Sequence, residues 1–131
     1  MGSENITVLV IEPEKRPYVK TISSGLASLQ KEVDGYIQAI YPWEDTPCCI
    51  VCDEEGKLKN KQYNRVLRDE DGYIYDAVAG TFLIVGLGED NFVSLESKYI
   101  KQYTELFSVP ELFFRIDDKL VVIPMQDGNE C

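Results

Sequence analysis

The run Thr81–Leu87 (TFLIVGL) constrains the fold more than any other part of this chain. Its residues from Phe82 to Val85 are all large and apolar, so both faces of an extended segment would be apolar. Strands of this composition are buried on both faces and run through the centre of a sheet. The run is far shorter than the roughly 18 apolar residues that indicate a membrane span. We therefore expect a central, buried β-strand.

Shorter strand patterns, separated by turn residues, occur on both sides of this run. Tyr63, Val66 and Leu67 instead have the spacing of one helical turn. The last two strands are expected to join through Asp117-Asp118, since aspartates tolerate the conformations of a tight hairpin. The predicted strands are "ITVLVIEP" and "YVKTIS" as an opening hairpin, "YIQAIYPW", "CCIVCD", "YIYDAVAG", "TFLIVGL", "LFFRI" and "KLVVIP".

Two segments have the spacing of amphipathic helices. In "SSGLASLQKEVDG", Ser23 or Ser24 is the expected N-cap and Gly35 the expected stop. In "SLESKYIKQYTELFS", the longer of the two, Ser94 is the expected N-cap and Pro110 lies beyond the end. The apolar faces consist of Leu26, Leu29 and Val33 in the first helix, and of Leu95, Tyr99, Tyr103 and Leu106 in the second.

The element order does not alternate regularly between strands and helices, which argues against a doubly wound fold. We expect the α+β class, with an antiparallel or mixed sheet and two covering helices. No linker or repeat divides the 131 residues, so residues 6–124 are predicted to form a single domain. Residues 1–5 and 125–131 are predicted to be flexible ends.

The formal net charge of −10 excludes the usual electrostatic basis for binding nucleic acid or an anionic membrane. The sequence start lacks the basic residues of a signal peptide, so a cytoplasmic location is expected. An acidic surface is typical of a solvated protein, of a protein that binds a basic partner, or of a nucleic-acid mimic. Charge alone does not choose among these classes.

Cys48, Cys49 and Cys52 form the cluster that most suggests metal binding or redox chemistry, and the last two have C-x-x-C spacing. In a strand, Cys49 and Cys52 point to opposite faces, about 10 Å apart, which is too far for a disulfide. A zinc site would need Cys131 as its fourth ligand, because the chain has no histidine. Small buried apolar residues are the favoured interpretation, with a structural metal or redox sensing as alternatives. We predict no cofactor and no metal.

The lack of histidine also removes the usual general base for a serine or cysteine nucleophile. The acidic groups at residues 53–55, 69–71 and 117–118 fall in predicted turns. Aspartate is favoured in turns because its side chain forms hydrogen bonds with the nearby backbone. In "RDEDG", Asp69 and Asp71 together offer oxygens for a divalent cation, but the segment lacks the complete set of regularly spaced oxygen ligands of a calcium-binding loop. We therefore predict no catalytic residues.

A basic segment interrupts this acidic chain between two acidic turns. One interpretation is a contact with an acidic partner or a phosphate, through Asn64, Arg65 and Arg68 above all. The favoured interpretation is that the cations are solvated and paired with neighbouring acids, at about 0–1 kcal/mol per exposed pair. The segment contains Lys57, Lys59, Lys61, Arg65 and Arg68.

The segments "VLVIEPEKRPYVKTI", "GLASLQKEVDGYIQAIYP" and "DEEGKLKNKQYNRVLRDEDGYIYDAVAGTFLIVGL" resemble a family of small bacterial and phage proteins. That family is catalogued only as a domain of unknown function, family 3846. The resemblance spans about Ile6 to Phe107 and is most specific at Asn64-Arg65, Asp69, Gly72, Asp76 and Ala79-Gly80-Thr81. It implies an accessory role on mobile genetic elements, often near antirestriction genes, and assigns no catalytic residue.

Three hypotheses about function follow. The first is a non-enzymatic module that binds another protein, and the second is an acidic DNA mimic that inhibits a defence enzyme. The third is a small carboxylate-based enzyme or anion-binding domain. The candidate binding residues are Asn64, Arg65, Arg68, Asp69, Asp71 and Asp76.

Overall fold

The computed structural model describes residues 4–125 and contains ten strands and two short helices among them. In chain order they are β1 (Asn5–Ile11), β2 (Tyr18–Ser23), α1 (Leu26–Val33), β3 (Ile37–Ile40), β4 (Cys48–Asp53), β5 (Tyr63–Arg68), β6 (Ile74–Ala79), β7 (Phe82–Leu87), β8 (Phe92–Val93), α2 (Ser97–Leu106), β9 (Glu111–Ile116) and β10 (Lys119–Pro124). The strand content and the two helices agree with the α+β class.

Strand β7 lies at the centre of the main sheet, as the run at residues 81–87 predicts. The strand order is β2-β1-β7-β4-β3, with the short β8 also paired to β7. Every strand pair among the described residues is antiparallel, so the mixed alternative is not observed. The residues from Phe82 to Val85 are fully buried, because this strand has neighbours on both edges and packed chain on both faces.

The alternation of side chains along the strands separates two apolar clusters, one on each face of the main sheet. On one face, Leu83 and Val85 pack with Leu29 and Val33 of α1. On the other face, the cluster includes residues of α2 and of the two-stranded β5–β6 ribbon, which are Tyr103, Leu67 and Val78. The second face is therefore not packed by a helix alone, in contrast to the prediction of two covering helices.

The helical turn predicted at Tyr63, Val66 and Leu67 is wrong, because these residues belong to strand β5. This strand pairs antiparallel with β6, with irregular register after Tyr63 and after Leu67. Three apolar residues at positions i, i+3 and i+4 fit one turn of helix but also fit a twisted ribbon that is buried on both faces. Val66 and Leu67 are both buried, although neighbouring residues of a strand point in opposite directions.

The predicted N-cap serines have other roles. Helix α1 begins after Gly25, whose backbone N–H donates to the hydroxyl of Ser23. Helix α2 begins after Glu96, whereas the hydroxyl of Ser94 accepts a hydrogen bond from the backbone N–H of Thr7 on β1. Ser94 thus ties the segment before α2 to the sheet instead of capping the helix.

Not every residue predicted for the apolar helix faces is buried. Leu29, Val33 and Tyr103 are buried, but Leu26 is 58% exposed and Leu106 is 59% exposed. Leu26 is the first residue of α1 and Leu106 is the last residue of α2.

The cysteines are arranged as the strand interpretation predicts. Cys48 and Cys52 pack in the cluster that includes α2, while Cys49 packs in the cluster that includes α1. All three are free thiols, and the C-x-x-C pair is therefore divided between the two faces of the sheet. Among residues 4–125 no group of three or more potential metal ligands is gathered. Cys131 lies outside the described residues.

We expect the three buried thiols to be unreactive in the folded protein. Burial raises the pKa of Cys49 to about 12, helped by the neighbouring Cys48, and burial raises the pKa of Cys52 to about 11, helped by Asp53. In a Cys131→Ser variant, reaction with a disulfide reagent at pH 8 should be at least about a hundredfold slower than for a free cysteine. In denaturant all three thiols should react at the rate of a free cysteine. Rapid labelling of one thiol under native conditions, or bound zinc in the purified protein, would contradict this strand assignment.

No helix within residues 4–125 combines the length and the apolar character needed to cross a membrane. The predicted flexible ends fall largely outside the described part of the chain, although Asn5 already belongs to β1.

Candidate functional site

Asn64 and Arg65, two of the predicted binding residues, lie inside the protein. The side chain of Asn64 is fully buried and donates from Nδ2 to the carbonyl oxygens of Ile11 (2.8 Å) and Gly80 (2.9 Å). Its Oδ1 accepts a hydrogen bond of 2.8 Å from Nη1 of Arg65. Asn64 therefore joins β5 to the end of β1 and to the turn before β7.

The guanidinium of Arg65 is only 1% exposed and donates mainly to backbone carbonyls. Nη2 donates to Lys15 (2.7 Å) and Phe107 (3.0 Å), Nε also donates to Phe107, and Nη1 donates to the carbonyl oxygen of Asn64. With the bond to Asn64 Oδ1, these contacts occupy the full set of guanidinium N–H groups. Burial lowers the pKa of Arg65, with Glu111 opposing that effect. The two residues hold the loop after β1, strand β5 and the end of α2 together, and they would engage a ligand only by breaking these bonds.

The other four predicted residues, Arg68, Asp69, Asp71 and Asp76, lie nearer the surface, and the side chains of Arg68, Asp69 and Asp76 have local partners. Oδ1 of Asp69 accepts hydrogen bonds of 2.9 Å from the backbone N–H groups of Asp71 and Tyr73, which closes the turn between β5 and β6. Oδ1 of Asp76 lies 2.6 Å from Nζ of Lys57, and Arg68 lies 3.9 Å from a carboxylate oxygen of Glu111.

The structure has a groove of about 540 Å³ beside the β9–β10 hairpin and one of about 240 Å³ at the end of α1, and none of Asp69, Asp71 and Asp76 lines either of them. A carboxylate-based enzyme needs at least two such groups facing a bound substrate. The third hypothesis therefore gains no geometric support from these residues.

A buried carboxylate at the end of strand β4 organises the basic segment. Asp53, the last residue of β4, is 5% exposed, and its Oδ2 lies 2.7 Å from Nζ of Lys61 and 2.9 Å from Nζ of Lys59. Lys61 also donates to the carbonyl oxygens of Val33 (2.9 Å) and Asp34 (2.7 Å) at the end of α1. We call Asp53, Lys59 and Lys61 the lysine clamp.

The clamp changes the protonation of Asp53. Burial alone would raise its pKa, but hydrogen bonds from Lys61, from the backbone N–H of Glu55 and from Lys59 outweigh burial and lower the pKa to about 2. Gly35 completes the clamp, because a Cβ atom there would lie 2.5 Å from Cγ of Asp53. The predicted pairing with a neighbouring acid is thus confirmed for Lys59 and Lys61, but the prediction that these pairs are solvated is wrong, because the carboxylate of Asp53 is buried.

One feature of the sequence could have revealed Asp53: it directly follows the wholly apolar run "CCIVC". A carboxylate at the end of a buried strand needs cationic partners, and the lysines at positions 57, 59 and 61 are the nearest along the chain.

The hairpin formed by β9 and β10 is the other unusual feature of the surface. Asp117 (φ 51°) and Asp118 (φ 67°) both adopt left-handed conformations, as a two-residue type I′ turn requires. The cross-strand register pairs Arg115 with Leu120 and Phe114 with Val121, so these pairs lie on opposite faces of the hairpin.

The inner face of the hairpin consists of Glu111, Phe113, Arg115, Leu120 and Val122. Glu111 and Phe113 contact the body of the protein, whereas Arg115 and Leu120 are exposed. Oε1 of Glu111 accepts a hydrogen bond of 2.8 Å from the backbone N–H of Val66, and the ring of Phe113 lies 5.3 Å from that of Tyr63. A groove of about 540 Å³ lies between the hairpin, where Leu112–Arg115 and Leu120 line it, and the segment from Lys57 to Tyr63. A smaller groove of about 240 Å³ lies at the end of α1, beside Gly35, Tyr36 and Lys59.

The outer face of the hairpin consists of Leu112, Phe114, Ile116, Val121 and Ile123, with Lys119 as its one charged residue. Phe114 is 46% exposed, Ile116 is 53% exposed and Ile123 is 46% exposed. These exposed apolar side chains share one face of a hairpin, so this face is the candidate interaction surface.

A family model described as Domain of unknown function (DUF3846) matches residues 6–108. The chain belongs to the DUF3846 family. No curated protein and no solved structure matches the chain significantly.

The DUF3846 match includes the buried pair Asn64 and Arg65 and the lysine clamp, but it ends before the β9–β10 hairpin begins. The residues that hold the DUF3846 fold together are therefore separate in the chain from the exposed apolar face. The predicted binding residues all fall within the matched region. The closing hairpin was predicted, but the exposure of its outer face was not, because apolar residues in a strand do not show which face stays uncovered.

Proposed function

We propose that this DUF3846 protein is a non-enzymatic protein-interaction module whose partner docks on the outer face of the β9–β10 hairpin. The observation that supports the proposal is the exposure of Phe114, Ile116 and Ile123 on one side of a two-stranded ribbon. Contiguous exposed apolar side chains are typical of protein-binding surfaces, where aromatic residues contribute much of the affinity.

The way in which the hairpin is attached supports this proposal. Isolated two-stranded hairpins are only marginally stable in water. Here Glu111 and Phe113 hold the inner face against β5, so the outer face has a fixed direction towards solvent. A preorganised surface loses less conformational entropy when a partner binds.

The proposal includes a cytoplasmic location, and it includes the accessory role on mobile elements that the resemblance implies. The electrostatic argument against nucleic acid and membranes as direct ligands favours another protein as the partner.

Capture from a bacterial lysate tests this function. We expect the double variant Phe114→Ser/Ile116→Ser to lose at least about tenfold of the partner retained by the wild type, since hot-spot side chains contribute about 2 kcal/mol or more each. The matched control is Leu26→Ser, which removes a leucine that is 58% exposed on α1. Quantitative mass spectrometry measures the retained proteins, and circular dichroism confirms that all variants are folded.

The control variant should retain the partner at the level of the wild type. Retention of the same proteins by all three versions, or the absence of any specifically retained protein, would contradict the proposed function.

A further inference from the structure

Strand β3 forms one edge of the main sheet and carries no charge along that edge. The strand order ends at β3, and no strand among residues 4–125 pairs with its outer side. The segment Tyr36–Trp43 (YIQAIYPW) contains no charged residue. Proteins protect exposed edges with charged residues, prolines, bulges or very short strands, because an unprotected edge pairs with another strand.

The other edge strands in the described part of the chain have such protection. Each one that is longer than two residues contains a charged residue, and β8 has only two residues. The charged residues include Lys20 in β2, Arg68 in β5, Asp76 in β6, Arg115 in β9 and Lys119 in β10. The register of β3 with β4 is also regular along the whole strand, without a bulge. Strand β3 is therefore the edge best suited to accept an added strand.

The direction of the free hydrogen-bonding groups follows from the ladder with β4. The backbone N–H of Glu54 donates to the carbonyl oxygen of Tyr36 at 2.8 Å, and the register of the two strands continues to this pair. Hydrogen-bonded pairs alternate with pairs that form no bond in an antiparallel ladder. The N–H and C=O groups of Ile37 and Ala39 therefore point away from β4, towards the outer side of the edge.

The side chains along this edge are only partly covered. Ile37 and Ala39 lie at the margin of the apolar cluster that includes α1, and both remain partly exposed. Tyr36 and Tyr41, on either side of the strand, are exposed. An added strand would extend the apolar cluster beyond the present edge. Because no side chain here is charged, a second copy with the same net charge of −10 meets no opposing like charge along the strand.

A second copy of β3 fits this edge in antiparallel orientation. A two-fold axis through Ala39 places this residue opposite itself and places Ile37 opposite Tyr41 of the second copy. Residues directly opposite each other share a face, so apolar side chains meet apolar side chains. The smallest side chain of the segment lies on the axis, where the two Cα atoms of a hydrogen-bonded pair are about 5.5 Å apart.

The neighbouring symmetric register forms a shorter ladder. An axis through Gln38 would need the backbone of Gly35, whose N–H already donates to the carbonyl oxygen of Gln30 at 3.1 Å. The axis through Ala39 uses outward groups within Ile37–Tyr41 alone, and it forms about six backbone hydrogen bonds between the copies.

We infer that this DUF3846 protein forms a symmetric dimer in which the two β3 strands pair antiparallel about Ala39 and join the main sheets into one. This inference goes beyond the proposed function, because it involves no residue of the β9–β10 hairpin. The partner on this edge is a second copy of the chain, whereas the partner on the hairpin is another protein.

Crosslinking tests the register, in a Cys131→Ser background. Ala39→Cys should form an intermolecular disulfide under mild oxidation, because a Cα separation of about 5.5 Å lies within the range that a disulfide spans. Ile37→Cys is the matched control, since its two copies would lie about four residues, or about 14 Å, apart along the strands. Gel electrophoresis without reductant should show at least about tenfold more crosslinked dimer for Ala39→Cys.

Sedimentation velocity tests the association itself. The wild type should show a concentration-dependent species of twice the monomer mass. Gln38→Lys adds a charge to the edge and Ala39→Pro removes an outward N–H, so each should weaken association by at least about tenfold. Thr21→Pro on β2 is the matched control and should leave association unchanged. Thr21 also directs its N–H outwards, because its cross-strand neighbour Thr7 donates to Ser94 and not to β2.

Four results would overturn the inference. They are a monomer at every concentration up to about 1 mM, equal association of wild type and folded Ala39→Pro, equal crosslinking of Ile37→Cys and Ala39→Cys, and loss of the dimer in Phe114→Ser/Ile116→Ser. That outer-face variant should dimerise like the wild type. If lysate capture depends on the outer face while no dimer forms, the inference fails and the proposed function stands. If the dimer forms while capture is unaffected by the outer-face variant, the proposed function is the part that fails.

Discussion

Replacing Arg65 by methionine should lower the free energy of unfolding by about 3–5 kcal/mol. Methionine fills much of the same space, but it leaves the carbonyl oxygens of Lys15, Phe107 and Asn64 without their buried donor. Each unsatisfied buried polar group costs about 1–3 kcal/mol. Replacing a buried ion pair by apolar residues is often neutral, but here only the donor is removed and its acceptors remain. Urea denaturation followed by circular dichroism measures the change.

The matched control for this prediction is Arg68→Met, three positions along the same strand. Arg68 has a 45% exposed side chain and a distant contact of 3.9 Å with Glu111, so its loss should cost less than about 1 kcal/mol. Arg65→Lys keeps the charge but not the planar array of donors, and it should fall between the two. An Arg65→Met variant as stable as Arg68→Met would show that Arg65 does not hold the loop and the helix end together.

The second large effect is expected at Asp53. Asp53→Asn should lower the free energy of unfolding by about 1.5–3 kcal/mol at pH 7, because the ion pairs of this buried carboxylate with Lys59 and Lys61 are lost. The pKa of Asp53 is about 2 in the folded protein and about 3.9 for an unfolded aspartate. The stability that its ionisation contributes is therefore fully present above about pH 4 and is lost as the pH falls through about 2.

The measurement is the difference in unfolding free energy between wild type and Asp53→Asn at several pH values. This difference should be constant from pH 7 to about pH 5 and should shrink between about pH 4 and pH 2. Asp34→Asn is the control, since its carboxylate is 96% exposed and lies 3.9 Å from Lys61. A difference for Asp53→Asn that does not change with pH would show that Asp53 does not form the proposed charged clamp.

Residues 81–87 illustrate why parts of the fold were predictable. A strand with apolar side chains on both faces has to be covered on both faces, and such strands lie inside a sheet with a neighbour on each edge. Strand β7 has that position. Likewise, Asp117 and Asp118 tolerate left-handed backbone conformations, and they form the predicted hairpin turn. In both cases the information lies in adjacent residues, and alternation along a strand or turn chemistry is enough to read it.

Residues 63–67 show where local reasoning failed. Asn64 and Arg65 look like an exposed polar pair between apolar neighbours, whereas both are buried. Their partners are backbone carbonyls at Ile11, Lys15, Gly80 and Phe107, up to 53 positions away along the chain. A carbonyl oxygen carries no signature in the amino-acid sequence, so the burial of a polar side chain among such groups is not visible there.

The sequence alone determined the central strand, the opening and closing hairpins, and the division of Cys49 and Cys52 between two faces. Each of these follows from residues adjacent in the chain, through the direction of successive strand side chains or through turn chemistry. Tertiary structure decided the burial of Arg65, the lysine clamp around Asp53 and the exposure of Phe114 and Ile116. Those features depend on which distant backbone groups and side chains come together when the chain folds. Alternation along one strand shows which residues share a face. It does not show whether another part of the chain packs against that face.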